Sequence, residues 1–221
     1  MLGSLFLVFT LLMGGAVATP ATESRESIEA AAYHVKEMVH RQTTGTIASV
    51  FPPDSEHAGH PFALMEYHAP CFPAPALTML LMPIALSTRN ILANSSHPAT
   101  YTISEKVPFD PSPMSQARVA FIGNITVMKY ENIPEDELEI MEKCFTWYHP
   151  DAKSWIPYQS QHPFNSFWAK FQPSDIYYVG GFGDSHYIGH IPIDLYTKVG
   201  EGVKSSDHWS DRNVPSLRIQ N

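Results

Sequence analysis

The chain has 221 residues, with 14 Lys and Arg against 22 Asp and Glu, a formal net charge of −8 and no basic run. A sequence-independent grip on nucleic-acid phosphates therefore has no electrostatic basis. No G-x-S-x-G elbow, Walker loop, H-E-x-x-H or C-x-x-C occurs, so hydrolase, nucleoside-triphosphatase, zincin and thioredoxin chemistry lack their usual signatures.

Residues 1–18 carry no charged side chain, hold an apolar run from Leu5 to Met13 and end in Ala16-Val17-Ala18. That is the pattern of a signal peptide cleaved before Thr19, and its apolar stretch is short of the about 20 residues a stable membrane span needs. The expected destination is the secretory route: secretion, or the lumen of a secretory or vacuolar compartment. The sequons Asn94-Ser95-Ser96 and Asn124-Ile125-Thr126 offer glycan acceptors there. The chain's 12% aromatics and 19 prolines suit a loop-punctuated β protein, and residues 19–198 are enough for one such domain.

Over 24–41, Ile28, Ala31, Ala32, Val35, Met38 and Val39 recur at helical spacing behind a Ser24 cap. Gly45 opens a strand over 46–51 that Pro52-Pro53 ends, and the apolar runs 62–67 and 77–81 predict two more. A helix over 87–94, a short strand over 100–103 and a strong strand over 119–128 come next. Pro134 opens a second covering helix with Leu138, Met141, Phe145 and Tyr148 on one face. A strand over 174–179 closes the pattern, and 199–221 reads as a loose tail.

Three constellations carry chemistry. Leu81 to Leu92 joins an apolar run to Ser87, Thr88, Arg89 and Asn90 just where a helix can begin. Hydroxyls, free N–H groups and a two-pronged guanidinium make that a candidate phosphate cradle, and an ordinary N-cap with a solvated arginine is the competing reading. His57, His60 and His68 beside Cys71 could share a metal ion, but the spacing matches no established site, and no metal is assigned. Cys71 and Cys144, the only cysteines, either pair in an oxidising lumen or serve as small core residues.

The segment from Leu81 to Ile91, with Asn94 and His97 to Ile103, resembles the central strand-helix-strand of the CREG-type branch of the pyridoxamine-phosphate-oxidase-like, FMN-binding split barrels. Thr46 to Ser49, His60 to Ala63, Arg118 to Gly123, and Phe167 to Phe171 with Val179 to Gly183 resemble its remaining strands in the same order. The resemblance implies a mainly β, six-stranded Greek-key split barrel with flanking helices that binds FMN across a homodimer interface. Phosphate contacts fall to Ser87, Thr88, Arg89, Asn90 and Arg118, and the segment around Gly181 lies near the flavin ring. His186 and Tyr187 are acid–base candidates by place alone. The implied activity is a flavin-dependent oxidoreductase acting on a small molecule. The alternative is a non-enzymatic CREG-like secreted glycoprotein whose flavin cleft is obstructed.

Overall fold

The computed structural model describes residues 25–106, 112–157 and 165–200. The expected signal peptide, the Ser24 cap and the tail from residue 201 lie outside them. Seven strands, β1 (Thr44–Val50), β2 (Pro61–Tyr67), β3 (Leu77–Leu81), β4 (Pro98–Ser104), β5 (Arg118–Val127), β6 (Phe167–Val179) and β7 (Ile188–His190), form one antiparallel sheet. Six follow the path β2-β1-β4-β5-β6-β3, and β7 adds to β6. The sheet curls until its two edges, β2 and β3, flank a split, and beyond the end of β2 the bridge between Ala69 and Thr78 joins them. The expected fold class, a mainly β split barrel with flanking helices, is the one observed.

Alternation builds the wall. Along β5, Val119, Phe121, Gly123 and Ile125 are buried while Ile122, Asn124 and Thr126 are exposed, the period-two signature of a sheet covered on one face. Helix α1 (Ile28–Arg41) lays Ala31, Ala32, Val35, Met38 and Val39 on the barrel core. Its cap is Ser27, whose hydroxyl accepts from the Ala30 N–H, so the helix starts later than the expected Ser24. Glu26 precedes the helix and accepts from the Tyr187 N–H at 3.0 Å.

Two apolar cores result. The first fills the barrel with Ile47, Met79, Tyr101, Phe121, Phe171 and Tyr178 among others. The second lies under α3 (Glu135–Tyr148), where Met141, Cys144 and Phe145 meet Cys71, Leu80 and Trp168. Cys71 and Cys144 form a disulfide there, their Cα atoms 5.8 Å apart. They are thus both paired and fully buried, so the two readings of the sequence hold together.

Two boundaries differ in kind from expectation. Residues 167–171 and 174–179 belong to one strand, β6, because the register against β5 slips between Ile122 and Gly123, leaving Ser174 as a bulge beside Pro173. A bulge tolerates a proline that a regular ladder would not. Gly123 permits the close crossing, since a Cβ there would collide with the Gln172 carbonyl. After β7, a short helix α4 (Ile193–Lys198) caps the barrel through Tyr196, an element the sequence pattern did not reveal.

Candidate functional site

Helix α2 (Leu86–Leu92) is seven residues long and is capped by Ala85 with no side-chain bond. Ser87 and Thr88 therefore lie inside its first turn rather than capping it. At about 100° per residue, positions 87, 90 and 91 share a face and 89 points away. Accordingly Ser87, Thr88 and Asn90 are buried, and the Asn90 amide donates to Ser49 of β1 at 3.4 Å. Thr88 Oγ1 has no hydrogen-bond partner among the described residues. Arg89 is exposed and has no ion-pair or hydrogen-bond partner among them either.

Arg118 stands at the other end of the sheet. It pairs with Ser104, Thr46 pairs with Thr102 and Ala48 with Thr100, so Arg118 and Ser49 are five register steps apart, roughly 17 Å. Its guanidinium donates to the Met114 and Gln116 carbonyls at 3.2 and 3.4 Å. Gly181 lies at this same end: its φ is +150°, and a Cβ would press on the Ser115 carbonyl and the His186 ring. The six expected cofactor residues thus fall into two groups, Ser87 to Asn90 at one end and Arg118 with Gly181 at the other. Within one chain they cannot close on one phosphate. His186 Nδ1 is 3.7 Å from Glu26, and the Tyr187 hydroxyl donates to the His190 carbonyl, contacts that hold the loop rather than prepare an acid or base.

The split itself holds a cavity of 380 Å³ lined by Met65, Glu66, Tyr67, Leu80, Met82, Ile84, Ala85 and Trp155. Tyr67 stacks on His149 at 4.1 Å and lies 6.0 Å from Trp155, and its hydroxyl donates to Asp151 at 2.8 Å. Glu66 Oε1 accepts from the Tyr67 N–H at 3.1 Å. Burial pushes the Glu66 carboxyl up from its ordinary value to about 7, because a carboxylate loses hydration there and gains no cation in return. The sequence reading passed over Glu66. Pairing of β2 with β1 sets Leu64 opposite Ile47 and Glu66 opposite Gly45, a register that places the acid on the face of core residues and that no local stretch of sequence shows.

Behind the cavity, His68 is fully buried, its ring joined to the Tyr101 hydroxyl at 2.8 Å and to the Val39 carbonyl at 3.1 Å. Desolvation lowers its pKa to about 4, which keeps it neutral. His57 and His60 are exposed in the β1–β2 loop while His68 is core, so the three do not gather, and no group of metal-ligating side chains forms among the described residues. Asn94 and Asn124 are both exposed, and they are neighbours: the Asn124 amide donates to the Ser96 carbonyl at 2.6 Å, and Ser96 Oγ donates to Asn94 at 2.9 Å.

A curled antiparallel sheet with a ligand-sized split and flanking helices defines a split β-barrel protein. The family description "CREG, beta-barrel" matches residues 26–198, and the chain belongs to that family. Similar structures include a heme binding protein from Mycobacterium smegmatis (TM-score 0.59, 18% identity, covering 79% of this chain and 61% of that one). They also include ChuZ of Campylobacter jejuni (TM-score 0.57, 10% identity, 79% and 67% covered) and an FAD-binding protein from Mesorhizobium loti (TM-score 0.48, 11% identity, 66% and 90% covered). The chain spans 61% of the length of the first of these. At such identities the likeness is one of fold alone. No curated protein matches the chain, and no described helix is long and apolar enough to cross a membrane.

Proposed function

We propose that the protein is a homodimeric flavin-binding oxidoreductase of the FMN type, acting on a small molecule that enters the split. The observation that carries this reading is the separation of Arg89, exposed and unpartnered at one end, from Arg118 and Gly181 at the other. A twofold pairing would bring one copy's Arg89 toward the partner's opposite end and complete a shared phosphate site. The outer face of β4, β5 and β6 supports such pairing, since Ile122 and Tyr177 are exposed on it among the described residues. Bound flavin would supply the electron transfer; the chain supplies phosphate contacts and a largely apolar pocket.

Titrating the purified protein with FMN, followed by flavin fluorescence, tests this together with light scattering. Arg89→Ala removes charge-assisted bonds worth about 1.5–3 kcal/mol and is expected to weaken FMN at least about tenfold. Unchanged affinity in folded Arg89→Ala, or tight binding by a monomer, overturns the shared site.

The second reading, a non-enzymatic secreted CREG-like glycoprotein, has its own support. Burial of Ser87, Thr88 and Asn90 leaves few groups at α2 to meet a phosphate, and both sequon asparagines are open to solvent. Failure of FMN to bind, with glycosidase-sensitive mass and an N-terminus at Thr19 in protein from the native host, is the outcome that favours it.

A further inference from the structure

The split combines an apolar, aromatic lining with a single carboxyl. Among the described residues that line the 380 Å³ cavity, Glu66 alone can carry charge near neutrality; the rest are Met65, Tyr67, Leu80, Met82, Ile84, Ala85 and Trp155. Such a volume suits one small organic molecule. Glu66 receives one hydrogen bond, from the Tyr67 N–H, and no Lys, Arg or His lies within ion-pair distance among the described residues. A second acid, Asp151, lies behind the Tyr67 hydroxyl.

We propose that the split binds a substituted organic ammonium ion, its charged head against the Glu66 carboxylate and its apolar body between Tyr67, Trp155 and the Met65 and Met82 thioethers. This names the substrate class for the small-molecule pocket of the proposed function and rests on that pocket, not on the flavin. Charge decides the class. An anion would meet Glu66 and no cation. A neutral molecule of the same shape would leave the carboxyl in its protonated form and form no ion pair, whereas an ammonium ion replaces the carboxylate's lost hydration with an ion pair and gains the faces of two electron-rich rings. Tyr67 is held ready for this: it is clamped by stacking on His149, and its hydroxyl donates to a carboxylate.

The geometry makes binding depend on protons. The groups facing Glu66 are Tyr67 on its own strand and Tyr101 from β4, whose hydroxyl donates to the Glu66 carbonyl at 2.9 Å. Both are pushed above the ordinary tyrosine value, so neither changes charge near neutrality. His68 beyond them is held neutral, and burial also lowers the pKa of His149, stacked behind Tyr67. Glu66 is then the group that titrates, and a cation must displace its proton.

Calorimetric titration of the full chain with benzyltrimethylammonium, without added flavin and in two buffers of different ionisation enthalpy, tests the proposal. Saturable binding is expected, tightening about tenfold between about pH 6 and about pH 8 and releasing about half a proton near neutrality. Glu66→Gln, nearly isosteric, is expected to lose the proton release and the pH dependence and to bind at least about tenfold more weakly at the higher pH. Trp155→Ala is expected to weaken binding and keep the pH dependence. Absence of saturable binding to the wild-type protein, or binding that Glu66→Gln leaves unchanged, overturns the site. Cation binding to a chain that takes up no FMN retains the site and removes the flavin; FMN binding without cation binding does the reverse.

Discussion

The wall formed by β4, β5 and β6 and the split between β2 and β3 are built from the same strand pattern, yet they differ in what they leave unfinished. In the wall, each of the seven residues of β4 pairs with β5, and β5 pairs with β6 over its whole length apart from one bulge. Large side chains such as Phe121 and Phe171 are completely buried behind it. At the split, two edges share the bridge from Ala69 to Thr78 and then part, so Leu64 and Met65 are more than half exposed and an acid sits where a core residue would otherwise stand. Completed pairing gives rigidity and little room. Interrupted pairing gives room, and Glu66 and His68 lie beside it with shifted ionisation, while the buried Tyr178 and Tyr196 of the barrel core are shifted up as well.

Breaking the wall should cost most. Phe121→Ala removes a fully buried ring that meets Tyr196 edge to face at 6.1 Å, and a loss of about 3–5 kcal/mol in urea unfolding is expected. The split side depends instead on its staple. The disulfide closes a sequence separation of 73 residues, and replacing both Cys71 and Cys144 by Ala is expected to cost about 2–4 kcal/mol. If the two sides are as independent as they look, the disulfide variant should also expose the split amides first in hydrogen exchange; uniform exposure would erase the contrast.

The smallest effect is in the pH dependence. Glu66 binds a proton more tightly folded than unfolded, so stability declines as pH rises from about 4.5 towards about 7 and is level above that. His68 has the opposite sign: its folded form resists protonation, so stability is lost as pH falls from 6.5 towards about 4. Between them the two terms largely offset. Glu66→Gln should uncover the histidine, giving a chain more stable at about pH 8, by at most about 3 kcal/mol, with a steeper acid limb in thermal unfolding.

Much of the sheet was legible in the chain. Leu77–Leu81 was bounded to the residue, and the inward Phe121 and Ile125 with outward Asn124 follow from alternation alone. What was not legible depended on register or on pairing partners. Pro173 reads as a strand breaker until a bulge makes space for it. Ser87-Thr88-Arg89-Asn90 reads as one cradle, although the helical angle already turns Arg89 to the side opposite Ser87. His68 reads as part of a histidine cluster because nothing local says that Tyr101, 33 residues on, will claim its ring. Glu66 was missed because its burial is created by the opening between two strands that no local window contains.

The closeness of Asn94 and Asn124 sets a footprint. Sequons 30 residues apart in the sequence share one corner, and Asn124 stands two residues from Ile122 on the uncovered face of β5. Carbohydrate attached there would fence that corner, leaving any second copy to approach along the half of the face that ends at Arg118. Sugar at one corner would therefore act as a steric guide for assembly, choosing one docking orientation among those the bare sheet allows.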